Sequence, residues 1–590
     1  VLRNTVEKCR KFGGEIVKIA AMAKSGEDVA RVLGLYSQEQ TSQRQAELIA
    51  FSMGETGRAS RLECLRLGSP FTYAALNDNE AAAPGQWTYS EMIAAVYGER
   101  RPLHCDTALN MPASKSFAQR AIIAAALADG ESRLEGYSPC GDNEAAIEVA
   151  KALGAEVRVE AAGVRSDLSD SSTDTATGTT LTIKGAGSSV NMPDKLNVGE
   201  SGLLTRLMIP IVAALGKGQP IEIDGIGTLP ARPLKGASEI MAGFGTVLRP
   251  LNPAPEVHVP LTVQGPLLSG KTSVSGKGGS QLISGLLMAL PLLPGDSTLH
   301  IHDPKSIPYM FITADVLRRF GIRIGSEMEG GEDFLETQDW SLCTGITFKI
   351  KGGQKYSPAA FDIEGDWSAA ANFLVAGALF GDVRLTGLDT TSLQADISIM
   401  DILMEAGASL SQIEDEPQDE ESANVKDSND NEAADAQEAN APQGHRGLIT
   451  AQKAPLRAFD TDLNNCPDLF PIVAILAAFC HGRSNIQGFK RLASKESDRG
   501  AAILNMLTQM GVEASAAGDI LSITGESVES RLLNGHLLKG GEYTSSHDHR
   551  MAMALTVASW CADSPIQIDD TSCIAKSFPA FLDAYRLIER

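Results

Sequence analysis

Leu317-Arg318-Arg319-Phe320-Gly321-Ile322-Arg323-Ile324 sets the reading of this chain: the end of an amphipathic helix, a glycine stop, and a short alternating strand. The pattern occurs four more times. It appears as Ala152-Leu153-Gly154-Ala155-Glu156-Val157 and as Met241-Ala242-Gly243-Phe244-Gly245-Thr246-Val247. It returns as Met404-Glu405-Ala406-Gly407-Ala408-Ser409-Leu410 and as Leu507-Thr508-Gln509-Met510-Gly511-Val512-Glu513-Ala514. The five glycines Gly154, Gly245, Gly321, Gly407 and Gly511 lie 91, 76, 86 and 104 residues apart. The last spacing falls to about 70 when an acidic stretch is set aside as an insertion. That period is too long for a solenoid and fits repeated α/β subdomains, with a helix over Phe578–Ile588 closing a sixth.

The insertion spans residues 412–446. Between Glu414 and Glu438 it holds eleven acids against one base, Lys426, and it has no aromatic residue. Such a composition cannot bury a core, so a disordered surface loop is expected. The whole chain of 590 residues carries 51 Lys+Arg against 74 Asp+Glu, a formal charge of -23, of which this stretch supplies -10. A balance this acidic argues against a sequence-independent binder of nucleic acid or anionic membranes. The longest apolar run, Leu469–Cys480, contains Pro471 and is too short to span a bilayer. Nine cysteines without a C-x-x-C pair read as reduced thiols in a cytoplasmic compartment. The sequence begins with Val1 and no signal peptide, and reads as a piece of a longer chain.

Residues 1–100 stand outside the repeat. They read as strand Glu15–Ala23, helix Gly26–Leu35, strand Leu48–Met53, a helix near Ser60–Leu67, strand Phe71–Ala75 and helix Ser90–Tyr97. Strands alternating with helices predict parallel βα units, and here there are three.

Three segments carry chemistry. In Met111-Pro112-Ala113-Ser114-Lys115-Ser116-Phe117-Ala118-Gln119-Arg120, Ser114 or Ser116 can cap a helix whose first turns present Lys115 and Arg120. A helix N-terminus with two cations is an anion site. In Arg491-Leu492-Ala493-Ser494-Lys495-Glu496-Ser497-Asp498-Arg499, Lys495 and Arg499 are expected on one helical face with Glu496 beside them. His547-Asp548-His549-Arg550 invites a metal reading, but no further ligands stand at recognisable spacing. Gly185-Ala186-Gly187 lacks the rest of a dinucleotide fingerprint and reads as a turn.

Taken in order, these segments resemble the 5-enolpyruvylshikimate-3-phosphate synthase family over about residues 103–590. The S-K-S…R start, Glu200-Ser201-Gly202-Leu203-Leu204-Thr205-Arg206 and Ala231-Arg232-Pro233 come first. Ser280-Gln281, Ser306-Ile307-Pro308-Tyr309 and Asn464-Asn465-Cys466-Pro467-Asp468 follow. K-E-S-D-R, D-H-R-M-A-M and Lys576-Ser577-Phe578-Pro579 complete the series. K-E-S-D-R and D-H-R-M-A-M favour this family over the UDP-N-acetylglucosamine enolpyruvyl transferases, which share its fold and donor.

The resemblance implies transfer of the enolpyruvyl group of phosphoenolpyruvate to shikimate 3-phosphate with release of phosphate, using no metal and no organic cofactor. Lys115, Ser116, Arg120, Gln281, Ser306 and Tyr309 would hold shikimate 3-phosphate. Lys115, Gly202, Arg232, Lys495, Arg499, Arg550 and Lys576 would surround phosphoenolpyruvate, and Ser280, Arg491 and His549 are further substrate-binding residues. Asp468 would take the proton of the attacking 5-hydroxyl and Glu496 would exchange the proton at the methylene carbon, with Lys115 and Lys495 beside the reacting atoms. Three positions depart from the family's commoner residues: Gly279 stands for a Ser, Glu200 for an Asn and Leu203 for a Thr. Arg491 stands where some members carry Asn.

Residues 1–100 resemble the C-terminal part of type I 3-dehydroquinate dehydratases. Val17-Lys18-Ile19-Ala20 matches the strand bearing a Schiff-base lysine, and Ser60-Arg61-Leu62 and Ala83-Pro84-Gly85-Gln86 match substrate loops. Lys18, Arg61 and Gln86 are the remnant's candidate residues. The fold implied is α/β: a two-domain enolpyruvyl transferase with repeated βαβαββ units, preceded by a partial (β/α) barrel. One domain would span 115–358 and the other would combine 103–114 with 359–590. The dehydratase remnant, three strand–helix units with no histidine before His104, is expected to be inactive alone.

Overall fold

All five repeat glycines sit in the left-handed region, with φ of 102° at Gly154, 75° at Gly245, 80° at Gly321, 91° at Gly407 and 78° at Gly511. An L side chain is strained there, which is why glycine ends each helix. The computed structural model describes residues 1–589 apart from 13, 15, 38–46, 161–178, 338 and 415–445.

Each glycine turns the chain into an edge strand of its own sheet. Around Gly245 the order is strand Lys195–Asn197, helix Gly202–Leu215, strand Pro220–Asp224 and helix Ala237–Ala242. A hairpin of Val247–Pro250 and Leu261–Gln264 follows. The first two strands pair in parallel and the hairpin adds antiparallel strands, so the last strand lies inside the sheet and the post-glycine strand at its edge. The units around Gly321 and Gly511 repeat this arrangement. A sixth, from Gly541 to Ile588, has two parallel strands and two helices but no hairpin, so the expectation of six full βαβαββ copies is met by five.

Two units exchange their first strands. Ala360–Asp362 pairs in parallel with Glu131–Tyr137 of the Gly154 unit. Leu103–His104 and Leu109–Asn110 pair in parallel with Gly381–Asp389 of the Gly407 unit. The crossing segments touch: the Ser114 amide donates to the Glu364 carbonyl at 2.7 Å and the Asp366 amide to the Pro112 carbonyl at 2.8 Å.

Two hydrophobic cores result. One gathers buried residues from Ala113 to Ile363, and the other gathers Leu103–Met111 with Trp367–Ile588. At the centre of each lie helices buried on every side. These are Lys115–Leu127, Gly202–Leu215 and Gln281–Ala289 in one, and Trp367–Phe380, Phe470–Phe479 and His549–Ser559 in the other. Past their first two turns their sequences are largely apolar around the circumference, as such burial requires.

Among the described residues, 1–100 form no core separate from the second of these two. Val17, Phe51, Cys64 and Tyr97 belong to the same buried cluster as Phe380 and Phe479. The Tyr97 hydroxyl donates to Glu529 Oε1 at 2.9 Å, and Lys453 Nζ pairs with the same carboxylate at 2.9 Å. Trp560 stacks on Phe380 at 4.5 Å and meets Tyr97 edge-on at 6.3 Å.

Strands Ile16–Met22 and Glu47–Met53 form a parallel pair, flanked by helices Gly26–Leu33, Ser60–Arg66 and Tyr89–Tyr97 and by Leu2–Lys11, a helix the sequence reading left out. The expected strand Phe71–Ala75 is not one: among the described residues only Ala75 bridges, to Thr88, and Phe71–Ala74 join no ladder. The acidic stretch lies mostly outside the described residues. Its ends do not: Gln412–Glu414 and Arg446 are strand residues, paired so that Glu414 opposes Gly447.

Candidate active site

The six central helices direct their N-terminal ends to one place. A cavity of ≈ 360 Å³ is lined by Lys115 and Ser116, Gly202 and Leu203, Ser280 and Gln281, Asp366 and Ser368, Pro467 and Asp468, and Arg550. Each belongs to the first turn of one of these helices or to the residues entering it. Six helix N-termini, with the positive ends of their dipoles, therefore meet in a single space. Eleven Lys and Arg side chains line it against five Asp and Glu, in a chain whose formal charge is -23. Polyanions are the ligands such a cavity selects.

Acids of the chain itself partner these cations. Lys115 Nζ pairs with Asp142 Oδ2 at 3.0 Å; burial is the strongest influence and opposes its charge, but Asp142 together with Cys140 and Glu496 holds its pKa above the usual lysine value. Asp468 accepts from Arg499 at 2.8 Å and pairs with Arg550 at 3.2 Å and Lys495 at 3.5 Å. Glu496 accepts from Arg499 at 2.6 Å and faces Arg232 at 3.7 Å. Burial alone would raise both carboxyl pKa values. The surrounding cations overcome it and hold both well below the ordinary carboxylate range.

Of the residues expected at the synthase site, all but Arg499 and His549 line the cavity. Arg499 lies fully buried behind it, its Nε 2.8 Å from Asp548. His549 is also buried, and neither ring nitrogen has a hydrogen-bond partner among the described residues. Burial, with Lys115 and Arg550 nearby, pushes its pKa well below the usual imidazole value. His547 points elsewhere, to Asp570 at 2.8 Å, so the two imidazoles of H-D-H do not converge.

Arg120 borders the cavity, but its donors are largely committed to Thr313 Oγ1 at 2.7 Å, the Ser116 carbonyl at 2.8 Å, Ser284 Oγ at 3.2 Å and the Tyr309 carbonyl at 3.3 Å. Burial pushes its pKa down to about 10. Gly202 makes room for guanidinium groups: a Cβ there would stand 3.3 Å from Arg206 Nη1 and 3.7 Å from Arg232 Nη1. Glu200 reaches Arg232 at 3.4 Å and Lys576 at 3.9 Å, so this departure adds an acid between two cations.

Two local expectations fail. Lys495 and Arg499 do not share a helical face, because Asp498 caps the helix and Arg499 is its first residue; Lys495 and Glu496 lie in the turn before it. Ser114 precedes the Lys115 helix, but its hydroxyl makes no capping bond. The sequence reading also missed Asp142, Asp396 and Arg206. Arg206 closes a motif quoted above, whereas Asp142 and Asp396 have no local signal and reach the cavity only through the fold.

In residues 1–100, Lys18 is on the exposed face of its strand, with Nζ 3.7 Å from the Tyr73 ring centroid. Arg61 lies over Phe51 at 4.3 Å and donates to the Tyr73 carbonyl at 3.5 Å. Gln86 accepts from the Ala82 amide at 2.9 Å. Arg61 and Lys18 thus meet at Tyr73, and Gln86 braces its own loop.

Residues 101–585 match the family described as EPSP synthase (3-phosphoshikimate 1-carboxyvinyltransferase), and residues 2–99 match type I 3-dehydroquinase. A 3-phosphoshikimate 1-carboxyvinyltransferase of Clostridium kluyveri is 33% identical over 491 residues, 83% of this chain and 96% of the relative. One from Clostridium novyi is 32% identical over 81% of this chain and 94% of its own. Among solved structures, an EPSP synthase from Acinetobacter baumannii superposes with a TM-score of 0.60 at 22% identity, covering 83% of this chain and 97% of that one. The enolpyruvyl transferase NikO from Streptomyces tendae gives 0.56 at 16% identity, covering 84% and 96%.

Proposed function

The chain belongs to the EPSP synthase family of 3-phosphoshikimate 1-carboxyvinyltransferases, and from that premise we propose how its own residues carry the reaction. Phosphoenolpyruvate and shikimate 3-phosphate enter the cavity, and the enolpyruvyl group passes to the 5-hydroxyl of the acceptor as phosphate leaves. The observation that carries this reading is the meeting of six helix N-termini and eleven cations around two carboxylates, Asp468 and Glu496.

Those carboxylates hold Arg499, Arg550, Lys495 and Arg232. Incoming phosphate and carboxylate groups compete for the same cations. As they take them, Asp468 and Glu496 lose the partners that depress their pKa values and become able to accept and donate protons. Asp468 then takes the 5-hydroxyl proton while the oxygen bonds to C2 of phosphoenolpyruvate. Glu496 donates a proton to C3 and later recovers one as phosphate departs, restoring the enol ether. Lys115, Arg232, Arg550 and Lys576 stabilise the charge of the tetrahedral intermediate. Ser116, Arg120, Ser280, Gln281, Ser306, Tyr309 and Arg491 hold the shikimate skeleton and its phosphate, and Gly202 and His549 complete the donor's end.

The two cores support a division into one domain of 115–358 and another of 103–114 with 359–590, with substrates closing the cleft between them. Residues 1–100 derive from a dehydratase and do not dehydrate 3-dehydroquinate as they stand, since imine chemistry needs a lysine buried or crowded by cations and Lys18 is exposed. Nine free cysteines support a reducing, cytoplasmic setting.

Release of inorganic phosphate that requires both substrates tests the synthase reading, and no release with both present overturns it. Borohydride trapping of 3-dehydroquinate on Lys18, together with dehydration, overturns the inactive remnant.

A further inference from the structure

A second cavity adjoins the active one. It is larger, ≈ 1080 Å³, and shares only Asp142 and Lys576 with it. Met111, Pro139, Ile226, Phe578 and Pro579 give it an apolar side, with Ile226 58% exposed. Four carboxylates stand around that side, Asp142, Glu144, Glu200 and Asp570, against two basic side chains, Lys576 and His547. Such a lining repels polyanions, so this space is no annex of the site that holds the substrates. Two of the acids also partner cations of the active cavity. Asp142 is 3% exposed; its Oδ2 pairs with Lys115, and its buried Oδ1 has no hydrogen-bond partner among the described residues. Glu200 lies flat against Gly227, where a Cβ would stand 2.7 Å from its Cδ, and its Oε1 reaches Arg232 at 3.4 Å and Lys576 at 3.9 Å. Among the described residues no three His, Cys, Asp or Glu converge as a metal ion requires. The acids are instead spread around an apolar wall, an arrangement that fits a positive charge carried on an apolar body.

We propose that this outer cavity binds an organic ammonium ion with an apolar body, and that its occupation tightens the active cavity's hold on phosphoenolpyruvate. The effect on the donor rests on the synthase reading; the binding itself does not. An ammonium group seated among Asp142, Glu144 and Glu200 competes for carboxylates that otherwise partner Lys115, Arg232 and Lys576. Each cation relieved in this way is available to the anionic donor across the shared wall. The ligand's own charge acts in the same direction. Coupling of this kind is reciprocal, so the donor tightens the amine by the same factor. Glu200 makes the device a property of this chain, because the asparagine commoner in the family would bring neither charge nor competition.

Calorimetric titration of the full chain with phenethylammonium chloride and, separately, with sodium phenylpropionate tests the site, since the two probes share a shape and differ in charge. The amine is expected to bind at least about tenfold more tightly than the carboxylate. Repeating the amine titration with phosphoenolpyruvate present should tighten it about two- to fivefold, and saturating amine should lower the KM for phosphoenolpyruvate by the same factor in a phosphate-release assay. Glu200→Gln, in which Arg232 and Lys576 are already relieved, should bind the amine about three- to tenfold more weakly and show no further fall in KM. No binding of the amine, equal binding of the carboxylate, or a KM that stays level or rises with the amine would overturn the proposal. So would Glu200→Gln that keeps both the parental affinity and the fall in KM. A parent chain that releases no phosphate with both substrates present fails the synthase reading instead, and the two amine titrations then decide the site and its coupling by themselves. Circular dichroism of the variant separates lost binding from lost folding.

Discussion

Glu496 shows how far a single side chain departs from what its sequence context promises. K-E-x-x-R is the ordinary spelling of a solvated ion pair, worth about 1 kcal/mol or less and without effect on rate. Here the pair is buried: Arg499 is fully shielded from solvent, and Glu496 sits 3.7 Å from Arg232, 264 positions away in sequence. Glu496→Gln should fold normally and lose roughly two to four orders of magnitude in turnover; near-parental turnover would remove Glu496 from the mechanism. Glu200 makes the opposite case. It adds an acid to Arg232 and Lys576, which the proposed donor must engage. Glu200→Gln keeps an acceptor for Thr228 but drops the charge, so KM for phosphoenolpyruvate should fall about three- to tenfold while kcat changes less. A raised KM in steady-state kinetics would mean that Glu200 positions the cations rather than occupying them. Residues in quoted motifs, such as Lys115, Asp468 and Lys576, were legible because each motif is local. Asp142 and Asp396 were not, since an isolated acid carries no sign of which distant cation it will meet.

At the scale of elements, the glycine stops were the most legible feature. Positive φ is a demand that one residue type answers, so it can be read one position at a time. Strands are harder, because they exist only by agreement with a neighbour. Phe71–Ala75 has a strand's composition and no partner over its first four residues. The Lys495–Asp498 turn was misread as helix for a related reason: an Asp at position 498 can continue a helix or cap one, and its bond from the Ala501 amide decides for the cap. The acidic insertion interrupts a hairpin whose strands are aligned up to Glu414 opposite Gly447. Strand ends that face each other can be joined by a tight turn. Replacing residues 415–445 with a four-residue Gly-Ser link should leave turnover within a fewfold and the thermal midpoint within a few degrees. Collapse of either would assign the stretch a structural part.

Across the whole molecule, residues 1–100 are joined to the synthase by more than sequence. Tyr97, Glu529 and Lys453 form a part-buried network, Trp560 bridges Tyr97 to Phe380, and Asn534 donates to the Arg66 carbonyl at 3.1 Å. Lys453→Met would leave Glu529 without its cation, a change that costs on the order of 1–3 kcal/mol for such a carboxylate. Hydrogen exchange should then rise together in strand Glu47–Met53 and in helix Val528–Asn534. Faster exchange in only one of them would show that the two pieces open independently. No reading of the chain alone could have joined these pieces, because Tyr97 and Glu529 are 432 positions apart and neither residue type announces a partner.

That separation becomes a delay when the protein is made. Strand Leu109–Asn110 pairs with Leu385 and Thr386, and Tyr97 bonds to Glu529, so both early segments leave the ribosome long before the surfaces that will cover them. At typical elongation rates, 432 residues take roughly 20 to 90 s. Through that interval Tyr97 and the apolar strands beside it remain uncovered, while the units around Gly245 and Gly321 already have every strand they need. The units around Gly245 and Gly321 therefore mature before the segments that flank them, and Tyr97 with its neighbours waits longest for its covering surface.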